Sequence, residues 1–355
     1  MPVLLYSMRG GLVHLTDWYH GDLEWRVVGL GPGRTTCGHI PPNGVGACHT
    51  GCDLRVRHTW CARPDCAICY RYRIEISRTV RRITERHEAY WKCATMRVGR
   101  VFERSAHIVV SPPQEWALER LKTLGGIRYM RERMYSILRE SGFDGGSIVF
   151  HPWRVRAWAR AAYHESGYDG GVWDWLRDEG LLAPALGAIK FAPHYHVLGW
   201  GRLTVSDDFH RDSGGWIYKR PSDSLDPDSL GSVAAYLMTH RGVLVGGGGR
   251  IQMISQVGCV GARSLKKEET FIMDGAKCDV CDEPVYVVDG WVEGEGPDGP
   301  GGKTVPEVER IGIDGVPVGL TITTHPYARW QRVCVYHIRG MPGCLAIFGG
   351  RSDDD

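Results

Sequence analysis

From about residue 90 to 265 the chain alternates between two hydrophobic periods. "SAHIVVSPP" is an apolar run of strand length closed by two prolines, and "QEWALERLKTLGGIRYMRERMYSILRESG" then carries apolar residues at helical spacing as far as Gly142. "GGSIVFHPWRV" reads as a second strand, "HYHVLGWG" as a third and "GWIYKR" as a short partner. "DSLGSVAAYLMTHRG" has an acidic, serine-rich entry and a glycine exit, the marks of a helix, and "GRIQMISQVG" supplies a final strand.

The order strand, helix, strand, strand, helix, strand predicts an α+β domain of the ferredoxin-like (RRM-like) kind, an antiparallel sheet backed by helices. The flanks lack such periodicity and are rich in cysteine instead. Cys37, Cys48, Cys52, Cys61, Cys66 and Cys69 crowd into a segment of Gly, Pro and His that has too little apolar surface to fold on packing alone. Cys66 and Cys69 in "CARPDCAIC" have the two-residue spacing that turns both sulfurs toward one tetrahedral zinc; Cys61 is the expected third ligand and Cys48 or Cys52 the fourth, with His39, His49 and His58 as substitutes. Near the other end Cys278 and Cys281 form a second pair, which Cys334 with His337, or Cys344, would complete. The expected organisation is an N-terminal extension (1–30), a cysteine-rich zinc-binding segment with a linking helix (31–90), the α+β domain (91–265) and a zinc-ribbon-like module (266–355).

Charge narrows the classes. Lys+Arg total 43 against Asp+Glu 41, a net charge of +2, which argues against a wholly basic nucleic-acid coat but allows a local groove where Arg concentrates, in "RVRHTWCARPDCAICYRYRIEISRTVRRITERH". The opening "MPVLLYSMRGG" is too short for a signal peptide, and no apolar run reaches the ~18 residues a membrane span needs, so a cytoplasmic protein without a membrane partner is expected. In that compartment twelve cysteines read as metal thiolates rather than disulfides. The "GGKT" of the glycine-rich stretch fails as a phosphate loop, because the first glycine of the motif would fall on Pro297.

His194 and His196 flank Tyr195 on a strand, where alternate side chains share a face, so both imidazoles can reach one metal ion. Tyr236 and His240 are four apart in "AAYLMTH", neighbours on one helical face, while Val233 and Leu237 face a sheet. A phenol and a third imidazole can therefore meet the same ion.

"AHIVVSPP", "GGSIVFHPWR", "PHYHVLGWG", "GWIYK" and "GSVAAYLMTHRG" follow one another over roughly residues 100 to 265. In that order they resemble the successive motifs of the HUH endonucleases that initiate rolling-circle replication in archaeal plasmids and viruses, and the cysteine-rich segment ahead of them is similar to the one those initiators carry. The resemblance implies that His194 and His196 bind a divalent ion and that Tyr236 becomes covalently joined to DNA. Two departures stand out. Many initiators have a lysine shortly after the tyrosine where this chain has His240, whereas single-tyrosine insertion-sequence transposases use the position four after the tyrosine as a third metal ligand. Many also carry two tyrosines three apart; Val233 and Thr239 occupy those positions here.

The expected activity is a metal-dependent single-strand DNA endonuclease and strand transferase. Tyr236 would attack origin DNA, leave a 5′-phosphotyrosine and a free 3′-hydroxyl, and later rejoin the strand. Mn²⁺ or Mg²⁺, held by His194, His196 and His240, would be the catalytic ion, and Zn²⁺ the structural one. Expected partners are single-stranded DNA or an origin hairpin, with a host helicase and polymerase. Trp153, Trp158, Trp173 and Trp175, among Arg154, Arg156, Arg160 and Arg177, are candidates for stacking bases and following the backbone. The rival readings are a transposase or relaxase of the same chemistry and a non-catalytic, zinc-dependent nucleic-acid-binding regulator.

Overall fold

The computed structural model describes residues 58–98, 103–183, 186–245 and 253–275 continuously. It adds shorter stretches at 4–6, 12–14, 19–21, 23–32, 35–40, 45–48, 54–56, 281–282, 285–293, 303–304, 318–326, 328–338 and 345–351. The chain is mixed α+β with antiparallel sheets and divides into two compact units, one of residues 1–32, 63–267 and 336–346, the other of residues 33–62, 268–335 and 347–355. Among the described residues no helix is long and apolar enough to cross a membrane.

In the first unit a 25-residue helix, α1 (Ile74–Val98), precedes strand β1 (Ser105–Ser111). Two helices follow, α2 (Gln114–Arg120) and α3 (Leu124–Glu140), where the apolar spacing predicts one. The break has a local cause: Thr123 caps α3, its hydroxyl accepting from the Gly126 N–H at 3.0 Å. Next come β2 (Phe143–Val155), α4 (Ala157–Ser166), α5 (Val172–Asp178), β3 (Ile189–Gly201), α6 (Ser206–Asp212), β4 (Ile217–Leu225), α7 (Pro227–Met238) and β5 (Ile254–Gly258). The five strands form one sheet in the order β4-β1-β3-β2-β5, every neighbour antiparallel. The expected short partner is thus a full strand at one edge. β4 carries Lys219, Arg220, Pro221 and Asp223, and its pairing with β1 shifts register twice, between Lys219 and Ser222 and between Ser222 and Leu225.

The sheet is covered on both faces. Ile108, Val110, Ile148, Phe150, Tyr195 and Val197 share a core with Ala117, Leu121, Ile127, Met130, Met134 and Ile137 of α2 and α3. On the other face Val149 and Leu198 pack with Ile76 and Ile83 of α1 and with Leu230, Ala234 and Leu237 of α7. Beyond α7, Gly242–Val245 pairs antiparallel with Leu23–Val27, so the N-terminal region supplies a strand to this unit and buries Trp25 completely. The second unit contains an antiparallel sheet of Lys303–Thr304, Val318–Pro326, Val285–Glu293, Val45–Cys48 and Leu54–Val56, in that order.

Candidate metal centre and tyrosine

β3 and β2 pair so that His194 stands opposite His151 and His196 opposite Val149. Directly paired residues share a face, and here it is the α1/α7 face. His194 and His196 therefore point the way the alternation predicts, and His151 joins them. A bulge between His151 and Trp153 then resets the register.

The third element is the end of α7. Asp226 caps its start, accepting from the Ser229 N–H at 2.7 Å, and Pro227 occupies the first turn. The helix ends at Met238, but Thr239 keeps a right-handed helical backbone, so the Tyr236–His240 spacing survives, with ring centroids 4.8 Å apart. His240 turns inward: its centroid lies 4.2 Å from that of His151 and 6.3 Å from that of His196. Ring nitrogens of His151, His196 and His240 all lie within 4.8 Å of one another, close enough to hold one metal ion, and the His194 ring is 5.0 Å from His196 and 5.4 Å from His151.

Hydrogen bonds orient this set as metal ligands require. His194 Nδ1 lies 2.9 Å from the Ala192 carbonyl, which can only accept, so Nδ1 carries the proton and Nε2 keeps its lone pair. The Thr239 hydroxyl spends its one proton on the Tyr236 carbonyl at 2.8 Å, so at 3.3 Å it must accept from His240 Nδ1, which again leaves Nε2 open. His196 Nδ1 is 2.9 Å from Nε2 of His107 on β1. Neither ring nitrogen of His151, which is fully buried, has a hydrogen-bond partner. Each such orphan costs about 1–3 kcal/mol, a penalty that coordination would remove. Burial holds His194 and His240 at about 3 and pushes His151 and His196 well below the usual imidazole value, so all four are neutral at physiological pH, as ligation demands.

Tyr236 stands at the rim, 43% exposed. Burial of part of its ring raises the phenol pKa, and Arg160 opposes that shift. Trp173 of α5 stacks on the inner ring, its centroid 4.8 Å from that of His240. α5 is itself held by Asp174, which accepts from the Tyr70 hydroxyl at 2.9 Å, and by Arg177, whose guanidinium lies 3.8 Å from the centre of the Tyr70 ring. Behind His240, the buried Arg241 pairs with Glu75 of α1.

The expected base-stacking surface needs correction. Trp153, Trp173 and Trp175 are buried in the core, because β2 and α5 turn those faces inward; only Trp158 of the four is exposed, at 50%. Arg177 is likewise committed, donating to the Val28 carbonyl. Arg154, Arg156 and Arg160 remain on the surface.

The sulfurs of Cys37, Cys61, Cys66 and Cys69 lie within 4.8 Å of one another and could hold a metal ion. Cys37 enters this group without having been singled out as the fourth ligand. Cys66 Sγ accepts from the Cys69 N–H at 3.5 Å and caps the short helix Ala67–Arg71. His58 Nδ1 is engaged with the Gly38 carbonyl at 2.9 Å. Cys52, Cys278 and Cys344, and the side chains of Cys48, Cys334 and His337, lie outside the described residues, as does His49; Cys281 is described and half-buried.

Comparison of the chain with protein-family models, with curated proteins and with solved structures finds no match.

Proposed function

We propose that this protein is a single-tyrosine HUH-type DNA strand transferase that opens single-stranded DNA to initiate replication. The observation that carries the reading is the meeting of an exposed tyrosine with a buried imidazole set: Tyr236 lies one helical turn before His240, whose ring nitrogens join those of His151 and His196. Within the five-stranded sheet, the order β4-β1-β3-β2, with helices α2 and α3 between β1 and β2, is the one expected of a ferredoxin-like split unit and supports this reading.

His196, His240 and His151, with His194 beside them, would hold the divalent ion; imidazole donors suit Mn²⁺ better than Mg²⁺. When bound, the ion withdraws charge from a scissile phosphate. The chain's own groups do the rest. Trp173 and Thr239 fix the His240 ring, and the capped helix α7 holds the phenol at the rim. The Tyr236 oxygen forms a bond to phosphorus as the bond from phosphorus to the 3′-oxygen breaks; the phenol loses its proton and the leaving 3′-oxygen gains one. The products are a 5′-phosphotyrosine and a 3′-hydroxyl, and the reverse attack reseals the strand. We further infer that Cys37, Cys61, Cys66 and Cys69 take zinc as a structural ion.

The position of His240 among the ligands also favours a second reading, strand transfer in transposition, since single-tyrosine transposases use that position as a ligand. Both readings predict the same adduct. Incubated with a pool of single-stranded DNA and Mn²⁺, the protein should form a covalent complex that survives denaturing electrophoresis and maps to Tyr236, and Tyr236→Phe should abolish it. An adduct on another tyrosine, or none with any strand, overturns the assignment and favours a non-catalytic nucleic-acid-binding protein.

A further inference from the structure

The hydrogen-bonded imidazoles of the centre differ in what their partners can do. The Ala192 carbonyl can only accept from His194, and the Thr239 hydroxyl, its proton spent on Tyr236, can only accept from His240. His196 meets a group of another kind. Its Nδ1 lies 2.9 Å from Nε2 of His107, and an imidazole nitrogen can take either role.

The contact is well directed. His107 pairs with Leu198 across β1 and β3, so its side chain stands on the α1/α7 face, diagonal to His196, and it is buried there. The two ring planes are 28° apart and the centroids 5.2 Å apart; with the nitrogens at 2.9 Å, the rings meet tip to tip, each bonded nitrogen aimed along the line of centres. Rings merely packed face to face would not align their nitrogens in this way. A single proton serves the bond. Carried on His196 Nδ1, it leaves the Nε2 lone pair of His196 to join His151 and His240 around an ion. Carried on His107 Nε2, it forces the proton of neutral His196 onto Nε2, and that nitrogen cannot ligate. Among the described residues no carboxylate hydrogen-bonds to any of these imidazoles, so His107 holds the place that an acidic side chain or carbonyl fills in other metal centres.

We propose that His107 is a positioning residue of the histidine centre: it accepts the Nδ1 proton of His196 and so reserves Nε2 of His196 for the divalent ion. Its own proton then sits on Nδ1. Because His107 brings no charge, an ion held by neutral imidazoles presents its full double charge to an anionic substrate. The proposal rests on the reading of the histidines as a metal centre and is independent of what that centre does to DNA.

Two measurements test it. His107→Phe keeps a ring on β1 and removes the acceptor, whereas His107→Gln returns an acceptor in its amide oxygen. In calorimetric titration of the full chain with Mn²⁺, after dialysis against citrate, His107→Phe should bind about 10–100-fold more weakly than the wild type and His107→Gln should recover most of the loss. A role in packing alone would leave the affinity of the folded variants unchanged. The second measurement needs no variant. In wild-type protein free of Mn²⁺ and labelled at histidine with the heavy nitrogen isotope, magnetic resonance identifies this pair by the nitrogen–nitrogen coupling across its hydrogen bond, and the shared proton should reside on the δ nitrogen. A shared proton on the ε nitrogen, or undiminished Mn²⁺ affinity in folded His107→Phe, overturns the proposal and leaves the metal centre standing. A wild type that binds no Mn²⁺ overturns both.

Discussion

Trp173 lies face to face with His240, the ring centroids 4.8 Å apart and the planes 7° from parallel. His240 lies just past the end of α7, and the indole covers one face of its ring, adding to the restraint that the Thr239 hydroxyl places on Nδ1. Trp173→Leu should therefore weaken Mn²⁺ binding about tenfold, in the lower range for groups that orient metal ligands, while Trp173→Phe should retain most of it. Calorimetric titration with Mn²⁺ checks this, and equal affinities in all three proteins would show that the stacking positions nothing.

His151 gives a prediction of opposite sign for stability and binding. With two buried nitrogens lacking partners, it burdens the metal-free fold. His151→Leu should raise the metal-free melting temperature, because it removes two unpartnered nitrogens that each cost about 1–3 kcal/mol. The same variant should lose most of the further stabilisation that Mn²⁺ confers on the wild type. A variant that melts lower and still responds fully to Mn²⁺ would assign His151 to packing.

Glu75 and Arg241 are both largely buried, at 16% and 8% side-chain exposure, and Glu75 also accepts from Thr79 at 2.9 Å. Removing one member of such a pair leaves a charge in a poor solvent, which costs about 3–5 kcal/mol. Glu75→Ala should lower the urea midpoint accordingly, and Glu75→Ala with Arg241→Met should recover part of the loss. Additive losses in the double variant would contradict the pairing.

His87 sits at 2% exposure with its Nε2 3.0 Å from Ser147 Oγ and its ring 4.8 Å from that of Trp200. Burial lowers its pKa to about 3, whereas the unfolded chain returns it to ~6.5. The unfolded state therefore binds the extra proton across that interval. The contribution to stability is complete above ~6.5 and is lost as pH falls toward the folded value, by up to about 1.4 kcal/mol per pH unit. Denaturation at pH 7.5, 6 and 5 should show a shallower acid decline in His87→Gln than in the wild type; parallel declines would rule this residue out.

Cys66→Ser replaces a thiolate by a hydroxyl in the four-sulfur group. Elemental analysis should find less zinc in the variant than in the wild type, with Mn²⁺ affinity at the histidines retained. Equal zinc in both would remove Cys66 from the ligand set.

What could be read from the sequence was local. The His194/His196 alternation and the Tyr236/His240 turn lie within single elements, where a period of 2.0 or 3.6 decides which side chains share a face. His151 could not be found that way. It reaches the site only through the register of β2 on β3, a pairing between distant segments that the period of either strand alone does not give; Pro152, right after it, marks the bulge at which that register ends. His107 was hidden in the same fashion, inside the apolar run of β1. The tryptophans misled because an aromatic beside arginines looks the same in sequence whether its ring faces water or core; β2 and α5 put three of four inside. Leu23–Val27 was unreadable for a third reason, since its partner, Gly242–Val245, lies at the far end of the unit.

β4 closes one edge of the main sheet with two register shifts, a proline that offers no N–H and a row of charged side chains. An edge of that kind is a poor template for a further strand. Copies of this chain brought close together would then have little tendency to zip together sheet to sheet at this edge, and association there would have to use side-chain surfaces instead of shared backbone hydrogen bonds.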